Sequence, residues 1–181
     1  MPFLREYSGN TLQWRRPHFF SSDYQLWVGD RLLASLNRTG LMKQSALAES
    51  EGQQWKFQRE GLMGRKCVIY PVTPDAQAQD ESTLALASIQ LSWSGAGTLN
   101  FQNGRAYKWE RTGGIWRPVW SWVGSSNKVL LSMKKGRSLE IAPAASDLPD
   151  TALLGVFGLY LVLMMEADEA SSAAVVIGAA S

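Results

Sequence analysis

The chain has 181 residues, 45% of them hydrophobic and 19% charged, which suits one globular domain with a substantial core and excludes a disordered chain. A single cysteine, Cys67, excludes an internal disulfide, and with a single histidine, His18, it excludes a Cys/His metal site within one copy. Eight tryptophans lean the composition towards strands, and the formal net charge of +2 conceals a segregated distribution.

The first residues, Met1-Pro2-Phe3-Leu4-Arg5-Glu6, lack the basic stretch and following apolar run of a secretory leader. With no cysteine pairing either, the expectation is a soluble cytoplasmic protein. His18 lies in Arg16-Pro17-His18-Phe19-Phe20 and reads as a structural or surface side chain at a strand exit.

From residue 11 to 142 the dominant period is two, as in strands with one buried face. Trp55, Phe57 and Arg59 alternate with Gln54, Lys56 and Gln58; Tyr107 and Trp109 oppose Lys108 and Glu110. The pattern predicts strands near 11–16, 24–29, 31–37, 53–60, 65–70, 83–91, 97–103, 105–111, 119–123, 127–134 and 137–142, with a weaker one near 43–49. Gly29-Asp30 and Asn103-Gly104 supply hairpin turns. Cys67 shares a strand face with Ile69 and reads as a small buried hydrophobe. Residues 71–82 form a long polar loop, whose Asp75, Asp80 and Glu81 do not make a catalytic carboxylate pair. Gly95-Ala96-Gly97 is a short turn, not a phosphate loop.

The segment Gly113–Trp122 carries Trp116, Trp120 and Trp122 beside Arg111 and Arg117. Two readings stand: the rings stack on bases or sit at a lipid headgroup layer, or Trp120 and Trp122 share a core face while Trp116 packs over a barrel end. Charge gives a parallel choice. Residues 138–181 hold six acids and no Lys or Arg, whereas residues 105–137 hold eight basic side chains against Glu110 alone. Arg105, Lys108, Arg111, Arg117, Lys134, Lys135 and Arg137, with Trp116, form the candidate ligand-binding set. They either converge on a positive surface or lie on an ordinary solvated face complemented by the acidic C-terminal part.

At Ser146-Asp147-Leu148-Pro149-Asp150 the pattern changes to a helix start, with Asp147 as N-cap and Pro149 in the first turn. Fourteen uncharged residues follow, 152–165, closed by Glu166, Asp168 and Glu169, acids that the helix dipole disfavours at a C-terminus. The helix is predicted over about 148–167, completing a domain at 1–170 before a tail at 171–181. A bilayer span needs about 20 residues; fourteen reach about 21 Å, so no transmembrane span is read here. A helix apolar all round must then be buried all round. Twelve strands close into a barrel wider than its own side chains fill, and a helix about 10 Å across fits the remainder. The expected fold is a mostly β, closed antiparallel barrel of about twelve strands enclosing a hydrophobic C-terminal helix.

That order of elements over 11–165, the ending LLGVFGLYLVLMM and the segment GTLNFQNGRAYKW resemble the tubby C-terminal domain, a fold shared with LURP-one-related proteins and ascribed to phospholipid scramblases. The resemblance implies phosphoinositide binding through basic barrel side chains, and a DNA-binding role is also proposed for tubby proteins. No tubby headgroup motif is matched residue by residue, and no compact acidic loop suits a scramblase-type calcium site. The expected function is a non-enzymatic binding module without metal or cofactor. Its partner would be an anionic membrane lipid or another phosphate-bearing ligand, placing it peripherally at a membrane. The alternatives are a protein-interaction scaffold and, further off, nucleic-acid binding or a small enzyme at the barrel mouth.

Overall fold

The computed structural model describes residues 3–18, 21–39, 44–61, 64–72, 85–112, 119–134 and 137–178, the side chains of 172–178 excepted. Twelve strands follow one another: β1 (Thr11–Arg15), β2 (Asp23–Val28), β3 (Arg31–Thr39), β4 (Ser45–Ser50), β5 (Gln53–Glu60), β6 (Lys66–Pro71), β7 (Ala87–Leu91), β8 (Gly97–Phe101), β9 (Ala106–Arg111), β10 (Trp120–Val123), β11 (Val129–Lys134) and β12 (Ser138–Ile141). Each pairs antiparallel with its sequence neighbours, and β1 pairs with β12 through Leu12–Leu139 to close the barrel. Helix α1 (Thr151–Gly178) then threads it. Closure leaves no strand edge unpaired.

The alternation read from the sequence is the in–out alternation of this barrel. Leu12 and Trp14 on β1, Trp55 and Phe57 on β5, and Tyr107 and Trp109 on β9 all point inward and are buried. Cys67 and Ile69 share the inner face of β6, both fully buried, and the Cys67 thiol lies 3.6 Å from Met164 Sδ. The weak strand near 43–49 is the full strand β4. Its inward residues, Ala46, Ala48 and Ser50, are small and give little hydrophobic signal, but Ala46 pairs with Phe57, whose ring needs the space. Residues 83–84 of the strand predicted at 83–91 lie outside the described residues, as do Asp75, Asp80 and Glu81.

Inside, an aromatic layer joins barrel to helix. Phe57 meets Phe157 edge-on at 4.9 Å and Tyr160 at 5.5 Å, while Trp122 lies 4.7 Å from Trp109 and 6.0 Å from Phe157. The Trp122 indole N–H donates to the Leu154 carbonyl at 2.8 Å, a direct bond from the wall to the helix backbone. Two helix glycines make the fit possible. A Cβ at Gly155 would stand 3.0 Å from Leu4 Cδ2, and one at Gly158 would stand 3.0 Å from Trp122 Nε1. Trp122 is thus a core residue, and Trp120 packs partly buried against the core beside it.

Both ends of the predicted helix need correction. Asp147 is not the N-cap: the helix starts at Thr151, where the Asp150 carbonyl accepts from the Leu154 amide at 2.9 Å. Pro143–Ala145 forms a 3-10 turn instead, and Pro149 precedes the first turn of α1. The helix does not stop near 167 but runs 28 residues to Gly178, through most of the expected tail. Alanine and the absence of any proline favour this continuation. Glu166, Asp168 and Glu169 therefore lie within the helix, away from the adverse end of its dipole. By length and composition, Thr151–Ser171 would be long enough to cross a membrane; here its apolar run, from Thr151 to Met164, is packed inside the barrel.

Two substitutions test this packing. Phe157→Ala should cost about 3–5 kcal/mol by opening a cavity in the aromatic layer, and Gly158→Val about 1–3 kcal/mol by forcing Trp122 away. Urea unfolding followed by tryptophan fluorescence measures both. Losses below about 0.5 kcal/mol, the range of ordinary surface changes, would mean that the helix is not a tightly packed core element.

Candidate functional site: an arginine collar at the helix exit

The helix direction defines two barrel ends. At the proximal end, Asp150 just before α1 is buried and accepts from Tyr107 Oη at 2.7 Å while pairing with Arg105 Nη1 at 2.7 Å. At the exit end, Asp168 accepts from Arg59 Nη1 and Nη2, at 2.8 and 2.7 Å, and Glu166 pairs with Arg137 Nη2 at 3.1 Å. The acidic C-terminal part is thus tied to basic side chains at both ends.

This geometry divides the basic set read from residues 105–137, bringing Arg111 and Arg137 to the same barrel end and leaving Arg105 at the other. Arg105 is at the proximal end in its pair with Asp150, Lys108 is exposed on the outer face of β9, and Arg111 is at the exit end. Lys134 pairs with Glu140 across β11 and β12, and Arg137 is held by Glu166. Trp116, Arg117 and Lys135 lie outside the described residues. A six-residue strand spans the barrel wall, so neighbours along β9 reach opposite ends and opposite faces.

A different group converges. Strands β1, β3, β5, β7, β9 and β11 all run towards the exit end. Following their inward positions gives Leu12-Trp14-Arg16, Ala34-Leu36-Arg38, Trp55-Phe57-Arg59 and Tyr107-Trp109-Arg111. Each inward file is buried until its last member, which is an arginine at the rim. The β7 file, Ala87-Ile89-Leu91, ends instead at Trp93, 78% exposed. Arg65 and Arg137 join the rim from the turns after β5 and β11. Among the described residues six arginines thus end inward files or turns on the rim from which Glu166, Asp168 and Glu169 emerge, three more positive charges than these acids carry. The sequence reading missed Arg16, Arg38, Arg59, Arg65 and Trp93. The signal was there, in the recurrent x-apolar-x-apolar-x-Arg ending of alternate strands.

The collar has two sectors. On one side a cleft of about 280 Å3 is lined by Arg59, Arg65, Trp93, Trp120, Met165 and Asp168, with Arg65 stacked over the Trp93 ring. The Asp168 hydrogen bonds raise the Arg59 pKa, so this guanidinium stays charged. Gly95 sits on the cleft wall at a φ of +84°, where a Cβ would stand 2.7 Å from Met165 Sδ. On the other side Arg16, Arg38 and Arg137 gather about Tyr24 and Glu166. Burial lowers the Arg38 pKa, opposed by the nearby Tyr24 and Tyr160 phenols; among the described residues Arg38 makes no ion pair with a carboxylate.

No family model matches the chain, no curated protein matches it, and no solved structure matches it. Function therefore rests on the site's own chemistry. Among the described residues no group of three His, Cys, Asp or Glu side chains is placed to hold a metal ion. Burial pushes the Cys67 thiol up to about 12, from an ordinary 9.0, which leaves it a poor nucleophile at neutral pH.

The Tyr107 and Tyr160 phenols are also pushed well above their ordinary 10.0, first by burial and, for Tyr107, then by its hydrogen bond to Asp150. In all three groups the folded state holds the proton more tightly than the unfolded chain. Their contribution to stability is therefore complete below the unfolded-state values and is lost as pH rises from those values through the folded ones. The Tm should hold steady to about pH 8 and fall progressively above about pH 9. Iodoacetamide at about pH 8 should leave Cys67 unmodified until urea unfolds the chain. A Tm unchanged into strong alkali, or prompt modification of the native protein, would contradict this burial.

Proposed function

We propose that this chain is a non-enzymatic binding module whose exit end takes an anionic, phosphate-bearing partner, an anionic membrane surface first among them. The observation that carries the reading is the arginine collar: charge gathered from β1, β3, β5 and β9 and from two turns exceeds what the helix acids neutralise. Guanidinium forks suit phosphate oxygens better than lysine ammonium groups do. Trp93, exposed at the turn after β7 and backed by Arg65, has the amphipathic character of an interfacial side chain. The resemblance to the tubby domain supports the same ligand class. The location differs from the sequence expectation, since the collar is a barrel end rather than a face along residues 105–137. A cytoplasmic, membrane-peripheral site of action accompanies this proposal.

Co-sedimentation with phosphatidylcholine vesicles, with and without phosphatidylserine, tests it. Wild type should sediment with the anionic vesicles and much less so in high salt. Changing Arg16, Arg65 and Arg111 together to Gln should cut binding about tenfold or more, at about 1 kcal/mol per basic residue. The equal charge change at Arg31, Lys108 and Lys128, all exposed and away from the collar, should leave most of it. No sedimentation of wild type, or equal losses in both triple variants, would overturn the proposal.

A further inference from the structure

The Tyr24 sector of the collar is more specific than a diffuse positive patch. Arg16 donates to Tyr24 Oη from Nε at 2.9 Å and from Nη2 at 2.5 Å, and the Arg16 and Arg137 guanidinium carbons each stand 5.1 Å from the Tyr24 ring centroid. Two guanidiniums thus flank one phenol. Arg38, half-buried at the rim of β3, is close enough to feel the charge of both Arg16 and Glu166. Against these three cations the described residues set one carboxylate, Glu166, itself half exposed. Like charges gathered this closely repel one another, and among the described residues only Arg137 is paired with a carboxylate.

The donor inventory points the same way. Arg137 occupies the left-handed region at a φ of 64°, a conformation disfavoured for a side-chain-bearing residue. Its backbone carbonyl accepts from the Trp14 amide at 3.1 Å, which ties the turn after β11 to β1. Arg137 Nε is buried and has no hydrogen-bond partner among the described residues. Buried donors of this kind are rare unless a ligand or water satisfies them. A strained turn, an orphaned guanidinium N–H and three guanidiniums form a site rich in donors and poor in acceptors. A phosphate monoester brings several acceptor oxygens and a charge of about −2, which matches the excess left after Glu166.

We infer that Arg16, Arg38 and Arg137 form a discrete site for a single phosphate monoester group against Tyr24, with Glu166 as the internal carboxylate that competes for Arg137. This rests on the anion-binding reading of the exit mouth and sharpens it from a surface to one site. The group reaches the site either free in solution or as the headgroup of a monoester lipid.

Calorimetric titration with inorganic phosphate, together with co-sedimentation on phosphatidylcholine vesicles with and without phosphatidic acid, tests the site and separates its sources. Wild type should bind phosphate at one site per chain. Arg38→Gln should weaken that binding by about tenfold or more, the scale of a lost charged hydrogen bond. Arg16→Lys, which keeps the charge but removes the fork, should also weaken it and guards against a folding defect in the first variant. Glu166→Gln should tighten it by releasing Arg137, and Lys108→Gln should leave it unchanged. Binding to phosphatidic acid vesicles that follows the same order assigns the lipid source; a phosphate isotherm without vesicle binding assigns a soluble one. No saturable phosphate isotherm, or equal effects of Arg38→Gln and Lys108→Gln, would overturn the discrete site. The collar as a whole would still stand on the phosphatidylserine result, and loss of that result as well would remove both readings.

Discussion

Everything in this molecule depends on one mutual burial: an apolar helix with no solvent face, inside a barrel too wide to fill itself. Neither part is complete alone. The fourteen uncharged residues at 152–165 would leave a large hydrophobic surface in water, and a twelve-stranded barrel would enclose a lumen that its own side chains cannot pack. The aromatic layer of Phe57, Trp109, Trp122, Phe157 and Tyr160 joins the two, and the Trp122–Leu154 hydrogen bond fixes the depth of the helix. Gly155 and Gly158 matter for what they lack, since a methyl group at either would meet the wall.

Depth in turn places charge. With Asp150 held at the proximal end by Tyr107 and Arg105, the helix delivers Glu166 and Asp168 to the level where Arg137 and Arg59 wait at the exit. The acids that seemed badly placed at a helix terminus are instead mid-helix, where the barrel ends and the arginines begin. These exposed or half-buried pairs contribute modestly to stability, on the order of 1 kcal/mol or less each. Their larger consequence is positional, since they clamp the emerging helix within the collar and set how much positive charge remains for a partner.

Most of the architecture was legible because its signals are local. Period-two alternation in stretches such as Trp55–Arg59, the turn at Asn103-Gly104 and the uncharged run before Glu166 each need only a few adjacent residues. The helix ends were harder. Asp147 before a proline reads as a cap, whereas the helix starts four residues later, and an alanine-rich continuation has no amphipathic face to announce it. The collar was least legible, because Arg16, Arg38, Arg59 and Arg111 are separated along the chain and meet only when β1 closes on β12. Counting charge in a linear window grouped Arg105 with Arg111, which the strand carries to opposite ends of the barrel. A count restricted to the inward file of alternate strands would have found the rim.

Native-state hydrogen exchange of helix α1 addresses the mutual burial most directly. Amides at 155–164 should exchange only through global unfolding, with the same free energy as amides at the barrel centre such as Phe57 and Leu99, while those of the largely exposed stretch 167–171 exchange earlier. Exchange of the 155–164 amides at lower free energy, with the strands still protected, would show a barrel that stands without its helix and would contradict the account.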